Sequence, residues 1–143
     1  METDATFRGE GRCLCGAVRL TATKAGRHVD ACHCATCRRW SGGPLLALDC
    51  GTDVRIEGGE HVALYDSSEW AQRGFCARCG THLFFRMREG GGYFVPVGLL
   101  EPAEGVRLAS QIFVDSKPAY YNFAEATTMM TGAEVMAAFA AKD

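Results

Sequence analysis

Three cysteines in one short stretch, Cys32, Cys34 and Cys37, are the residues of this sequence best suited to chemistry. Three thiolates from a single turn, with a fourth position left for exchange, form the ligand pattern of catalytic zinc. Zinc in such a site accepts a soft ligand such as a substrate thiol, and coordination deprotonates that thiol at neutral pH. The stretch therefore predicts a zinc ion that activates a sulfur-containing substrate, with the three cysteines acting through the metal.

Two further cysteine pairs flank this stretch, and in each pair the second cysteine precedes a glycine. They are Cys13 and Cys15 before Gly16, and Cys76 and Cys79 before Gly80. A tight turn around a metal often needs a positive φ, which glycine adopts without steric cost. Because four thiolates in a tetrahedron are the ligand set of structural zinc, we expect the two pairs to close one structural site. The alternative is buried cysteines or a disulfide, although Cys13 and Cys15 are too close to bridge each other easily.

Four residues are candidates for holding a substrate: Arg38, Arg39 and Trp40, which directly follow the central cysteines, and Lys117, which lies farther along the chain. An arginine can bind a substrate carboxylate in bidentate fashion, or balance the negative charge of the thiolates. A solvated helix face explains Arg38 and Arg39 equally well.

Three other residues bear on the metal sites. His33 lies between two proposed ligands, so its side chain is expected to point away from the metal and to pack or form a hydrogen bond. Cys50 ends an apolar stretch and is expected to be a buried, inert thiol; as a fourth ligand it would close the second site and argue against catalysis. His82 is interpreted as a strand residue near the structural zinc and a candidate partner for its ligands.

Composition limits the class of protein. The chain has 143 residues, so we expect residues 1–143 to form a single zinc-binding domain. The 15 Lys and Arg nearly offset the 17 Asp and Glu, which argues against a nucleic-acid partner. No signal-peptide pattern and no apolar run of roughly 18 residues is visible, which predicts a cytoplasmic protein without a membrane span. In a reducing cytoplasm the eight cysteines bind metal more often than they pair as disulfides.

The periodicity predicts a mainly β fold of short antiparallel strands. Apolar residues suggest strands over residues 17–23, 44–50, 82–88 and 93–97, and a hairpin joining 53–57 to 62–65 across Gly58-Gly59. Residues 35–41 are expected to form a short helical turn, and residues 1–11 a frayed lead-in. Thr131 and Glu134 fit a capping box that begins a C-terminal helix over 131–141.

With these motifs assembled, the chain resembles the family of glutathione-dependent formaldehyde-activating enzymes, which also includes centromere protein V. The resemblance extends from about residue 11 to 120, over the segments 11–18, 32–38 with Ser41-Gly42, 74–81 and 112–120. It implies a fold like that of Mss4-type β proteins, with structural zinc on the flanking pairs and a second zinc on the central three cysteines. It also implies the joining of formaldehyde to glutathione, formally the reverse of a carbon–sulfur lyase reaction.

Three functional hypotheses follow. The first is an enzyme with two zinc ions that adds a small thiol, such as glutathione, to formaldehyde or another small aldehyde. The second is a non-enzymatic zinc module that binds another macromolecule, since fold does not fix function. The third is a thiol-based redox or metal sensor whose clustered thiolates oxidise with zinc release.

Overall fold

The computed structural model describes residues 6–102 and 104–141 of the chain. The described part consists mainly of strands and ends in a short helix, which confirms the predicted mainly β class. The strands are β1 (Thr6–Arg12), β2 (Arg19–Gly26), β3 (His28–Cys32), β4 (Leu45–Gly51), β5 (Val54–Glu57), β6 (Val62–Asp66), β7 (Ala71–Cys76), β8 (His82–Met87), β9 (Tyr93–Pro96), β10 (Arg107–Ile112) and β11 (Thr128–Met130). The helices are α1 (Ala35–Ser41) and α2 (Gly132–Ala141). Within the described residues, neither helix has the length and hydropathy needed to cross a bilayer.

The described residues group into two compact units, one within 1–27 and 47–106 and the other within 28–46 and 107–143. The first unit is antiparallel. It contains a sheet of order β1-β2-β5 and a run of strands in the order β4-β9-β8-β7-β6. Leu48, Leu83 and Val95 are fully buried in its core, and the alternation of β2 buries Leu20 and Ala22 as expected.

The second unit is built around a parallel arrangement. Strand β10 pairs in parallel with β3 on one side and with β11 on the other, and its register places Ile112 opposite Cys32. Its core contains Val29, Ala31 and Val135. The sheets of the chain are therefore mixed, with antiparallel pairs in the first unit and parallel pairs in the second.

Helix α2 begins as the capping box predicts. The Thr131 amide donates to the Glu134 carboxylate at 2.7 Å, and the Glu134 amide donates to the Thr131 hydroxyl at 3.2 Å. These reciprocal bonds satisfy two of the amides that a helix leaves without partners at its first turn.

The predicted hairpin across Gly58-Gly59 is wrong. Both strands form, but β5 pairs with β2 and β6 pairs with β7. Gly58 adopts a left-handed conformation with φ of 81°, and a 3₁₀ turn over Gly59–His61 follows it. The two strands part at this point because each adds to the edge of an existing hairpin, where a row of unsatisfied backbone groups is available.

The predicted frayed lead-in is also wrong for residues 6–11, while residues 1–5 lie outside the described part. Strand β1 pairs with β2 through Arg12 opposite Arg19, and Glu10 exchanges two backbone hydrogen bonds of 2.9 Å with Glu101. Gly11 is required by close approach, because a Cβ there would lie 2.1 Å from the Leu99 carbonyl oxygen.

Gly58 and Gly59 provide a matched pair of substitutions. A Cβ at Gly58 would lie 2.0 Å from the Ala17 carbonyl oxygen at a φ of 81°, whereas a Cβ at Gly59 would meet nothing within 4 Å. We expect Gly58→Ala to lower the free energy of unfolding by about 3 kcal/mol, from backbone strain and overpacking together. Gly59→Ala should change it by less than about 0.5 kcal/mol. Urea unfolding checks both variants, and equal losses would contradict the packing argument.

Candidate metal centres

Two hairpin turns in the first unit build a group of four thiols. Cys13 and Cys15 lie in the turn between β1 and β2, Cys76 is the last residue of β7, and Cys79 lies in the turn between β7 and β8. The four sulfur atoms all lie within 4.8 Å of one another. The structure therefore brings the two predicted pairs together although about sixty residues separate them.

The two turns share one hydrogen-bond pattern. The Gly16 amide donates to the Cys13 carbonyl at 3.0 Å, and the Gly80 amide donates to the Cys76 carbonyl at 2.7 Å. Both glycines have positive φ, 82° and 81°, as the sequence predicts. In each turn a backbone amide also points at the first sulfur, from Val18 to Cys13 at 3.3 Å and from Arg78 to Cys76 at 3.4 Å. Such amides stabilise thiolates, so the turns suit metal ligation.

Thr81 connects the two turns and was missed by the sequence reasoning. Its hydroxyl accepts a hydrogen bond from the Leu14 amide at 3.1 Å and lies 3.1 Å from the Cys79 sulfur. The hydrogen bond from this hydroxyl lowers the pKa of Cys79 to about 5. Its only signal in the sequence is a hydroxyl residue two positions after a candidate ligand.

His82 begins β8 directly after Thr81 and is half-buried. Burial lowers the pKa of His82, and the nearby Arg73 charge adds to this effect. Both His82 and Cys13 line a cavity of about 1110 Å³ in the first unit. The role of His82 as a partner of the metal ligands stays a prediction.

The end of β3 and the start of α1 build a second group, of three thiols. Cys32 is the last residue of β3, Cys34 is the N-cap of α1, and Cys37 is buried within the helix. The Cys37 amide donates to the Cys34 sulfur at 3.3 Å, so this thiol replaces the usual hydroxyl or carboxylate cap. Gly42 ends the helix in a left-handed conformation and donates to the Arg38 carbonyl. The predicted helical turn over 35–41 is confirmed.

The charges of the three thiols are strongly coupled. Their sulfur atoms lie within 4.8 Å of one another. Hydrogen bonds from the Cys32 and Cys37 thiols lower the pKa of Cys34 to about 2, and the same contacts raise the pKa of Cys32. Because thiolates this close repel one another, ionisation of all three sulfurs requires a nearby cation. This donor set fits a soft divalent metal such as zinc.

The two groups differ in the number of ligands that they offer. Within the described residues, the first group contains four cysteines and the second contains only Cys32, Cys34 and Cys37, with no further His, Cys, Asp or Glu ligand atom. In the described part of the chain none of the eight cysteines forms a disulfide.

His33 is held by hydrogen bonds and does not belong to the metal group. The side chain is fully buried, and its ring nitrogens lie 2.8 Å from the Tyr121 hydroxyl and 2.8 Å from the Gln111 side-chain oxygen. Burial lowers the pKa of His33, and the positive charges of Lys117 and Arg38 lower it further. The expectation that His33 packs and hydrogen bonds, instead of ligating, agrees with this geometry.

Two of the four predicted substrate residues, Arg38 and Lys117, donate hydrogen bonds to backbone carbonyls. Arg38 donates from Nε to the His33 carbonyl at 2.9 Å. Lys117 donates to the carbonyls of Pro118 and Tyr121 at 3.0 and 2.5 Å, and its ammonium lies 5.1 Å from the centre of the Tyr121 ring.

The other two predicted substrate residues, Arg39 and Trp40, lie on α1, where Arg39 is exposed and Trp40 is half-buried. Substrate contact by any of the four stays a prediction.

Cys50 is a buried thiol, as predicted. It lies in β4 with no exposed surface, and its sulfur donates to the Leu48 carbonyl at 3.6 Å. Burial raises the pKa of Cys50 to about 12, so the group stays protonated at neutral pH. It is a member of neither metal-competent group among the described residues.

Comparison with known proteins shows which family and which relatives this chain is similar to. The sequence profile of the glutathione-dependent formaldehyde-activating enzyme family matches residues 8–116. An uncharacterized lyase of Schizosaccharomyces pombe is 39% identical over 128 residues, which span 89% of this chain and 93% of that protein. A Podospora anserina protein, named provisionally as a glutathione-dependent formaldehyde-activating enzyme, is 34% identical over 94 residues, 61% of this chain and 43% of that protein.

Among solved structures, the crystal structure of a Rhodobacter sphaeroides protein is similar, with a TM-score of 0.52 and 28% identity over 64% of this chain and 87% of that chain. The profile match includes both cysteine turns and the three-thiol segment. The chain belongs to the glutathione-dependent formaldehyde-activating enzyme family.

Proposed function

We propose that this protein is a zinc-dependent enzyme of the carbon–sulfur lyase type, which adds glutathione or a similar thiol to formaldehyde or another small aldehyde. The observation that carries the proposal is the contrast between a complete four-thiol group and a three-thiol group with no fourth ligand among the described residues. Family membership supports the reaction class, because the family is named for glutathione-dependent formaldehyde activation. The S. pombe relative is likewise named as a lyase.

The two groups would hold two zinc ions with different roles. Four thiolates suit structural zinc, and three suit a zinc that keeps a position for exchange. When bound at the second group, the metal would supply the positive charge that keeps a substrate thiol ionised at neutral pH. The reaction then forms a bond between the substrate sulfur and the aldehyde carbon. The electron pair of the C=O bond moves to oxygen, which takes up the proton that the thiol released.

The residues of the chain would hold the metal, balance charge and orient the substrate. Cys32, Cys34 and Cys37 supply three sulfur ligands. Arg38 and Lys117 place positive charge next to His33, and this charge would offset that of the thiolates if it reaches them. We infer that their remaining donors, with Arg39 and Trp40, contact the substrate, since guanidinium groups bind the carboxylates of a peptide-like thiol well.

The proposal predicts two zinc ions per chain and turnover that depends on the second. The rate of S-hydroxymethyl adduct formation, followed by NMR exchange with ¹³C-formaldehyde, should rise above the spontaneous rate in proportion to enzyme concentration. Mild chelation that removes one zinc should abolish the excess rate, and added zinc should restore it. A fully loaded protein that never exceeds the spontaneous rate, with glutathione or smaller thiols, would exclude the enzyme.

The same preparation separates the other two hypotheses. A non-enzymatic module would show a fourth protein ligand on the second zinc by X-ray absorption, together with no turnover. A sensor would release zinc and lose free thiols under mild peroxide, at doses that leave the four-thiol group loaded.

A further inference from the structure

His33 has a hydrogen-bond partner for each of its four polar groups. Its amide donates to the Ile112 carbonyl at 3.1 Å, and its carbonyl accepts from Arg38 at 2.9 Å. Its ring nitrogens lie 2.8 Å from the Tyr121 hydroxyl and 2.8 Å from the Gln111 side-chain oxygen. Hydrogen bonds therefore fix both the backbone and the side chain of His33, the residue between Cys32 and Cys34.

The direction of the side-chain bonds follows from the next partner. The Gln111 side-chain nitrogen donates to the Thr127 hydroxyl at 3.0 Å, which turns the Gln111 oxygen toward His33. That oxygen can only accept, so Nε2–H of His33 donates to it. In the neutral ring Nδ1 then carries no proton and accepts from the Tyr121 hydroxyl. Thr127, Gln111, His33 and Tyr121 form one chain of hydrogen bonds with a defined direction.

Tyr121 is itself held in place. Lys117 donates to its carbonyl and lies over its ring, and the rings of Tyr120 and His33 lie at centroid distances of 5.3 and 5.4 Å. Phe123 contacts both the Tyr121 and His33 rings, at 6.3 and 5.9 Å. The segment after β10 is thus packed against His33 by both polar and aromatic contacts.

We propose that Gln111 and Tyr121 are positioning residues for the second metal. By holding the His33 ring from two sides they fix the peptide units on either side of it, and so the directions of the Cys32 and Cys34 sulfurs. Partners of this kind matter at metal sites because they set the orientation of the ligands. The inference rests on the metal centre of the proposed function but not on its reaction, and it assigns a role to residues outside the three-thiol group.

The test compares the two metal groups within the same molecule. Tyr121→Phe removes one hydroxyl, and Gln111→Met removes the hydrogen bonds of a buried amide at similar size. Each should raise the zinc dissociation constant of the second group about 10-fold or more, measured by competition with a chromophoric chelator. The four-thiol group should keep its wild-type affinity. Tyr120→Phe is the matched control, because Tyr120 is 76% exposed and its hydroxyl should not matter.

Cobalt(II) substitution gives a second readout. The visible d–d bands of the second site should broaden or shift in Tyr121→Phe and Gln111→Met and stay unchanged in Tyr120→Phe. Unchanged affinity and bands in both variants would overturn the proposal. Equal weakening of both metal groups would also overturn it, since that result indicates a general loss of stability. Selective weakening in a protein without turnover would support the positioning role and exclude the enzyme.

Discussion

Replacing Cys76 with serine should leave the purified chain without a cooperative unfolding transition at room temperature. Cys76 is fully buried and joins two hairpin turns through the four-thiol group. Structural zinc contributes roughly 10–16 kcal/mol to the folding of small zinc domains, which equals or exceeds the typical net stability of about 5–15 kcal/mol. The substitution would remove one of the four proposed zinc ligands and place a hydroxyl at a buried position. Circular dichroism with urea, and zinc content by mass spectrometry, measure the outcome.

Cys50→Ala is the control for this result. Cys50 is equally buried, but it belongs to neither metal-competent group in the described part of the chain. Its substitution should cost only about 1 kcal/mol, as an ordinary small core change does, and should leave both zinc ions bound. If Cys76→Ser unfolds no more easily than Cys50→Ala, the four-thiol group has no structural role.

Replacing Cys34 with serine should remove one zinc and the thiol–aldehyde activity while leaving the fold intact. Serine is among the best N-cap residues, so it can accept the Cys37 amide hydrogen bond that the Cys34 sulfur now accepts. The helix start is thereby preserved, and only the proposed metal ligand is lost. A thiol with a pKa near 8.5 is roughly 3% ionised at pH 7, so losing metal activation should lower the rate by about 30-fold or more.

The measurement is the adduct-forming rate above the spontaneous reaction, together with zinc stoichiometry and the urea midpoint. We expect one zinc per chain, a midpoint close to that of the wild type, and activity near background. Loss of one zinc with unchanged turnover would show that the three-thiol group is not the reactive centre. Cys50→Ala should behave as the wild type in this assay also. This control shows whether the loss of activity is specific to Cys34 or follows the removal of any cysteine.

The cysteine pairs and the three-thiol group could be predicted from the sequence because their signals are local, and the two pairs combine because a complete zinc site needs four thiolates. Each cysteine pair lies in one turn, and Gly16 and Gly80 mark the positive φ that such a turn needs. The three central cysteines lie between the end of a strand and the first turn of a helix, so their proximity follows from six consecutive residues. The capping box of α2 is local in the same sense, and its bonds form as the pattern predicts.

The features that escaped prediction depend on partners that are distant in sequence. The edge that β5 joins belongs to β2, and the edge that β6 joins belongs to β7, so the local turn signal at Gly58 was misleading. Gly9 and Gly11 suggested a frayed end, yet Gly11 is there to admit the Leu99 backbone. Tyr121 and Gln111 contact His33 across 88 and 78 residues, and nothing near them in the sequence points to that contact.

The parallel pairing of β3 with β10 has a consequence for synthesis on the ribosome. A nascent chain that has emerged as far as residue 80 contains all seven candidate ligands, and both turns of the four-thiol group are complete. The side chains that hydrogen bond to the His33 ring have not yet emerged at that point, since they belong to residues 111 and 121. The three central thiols therefore leave the ribosome before the residues that hydrogen bond to the His33 ring. During that interval we expect the three thiols to be more open to oxidants and to competing metals than they are in the folded chain.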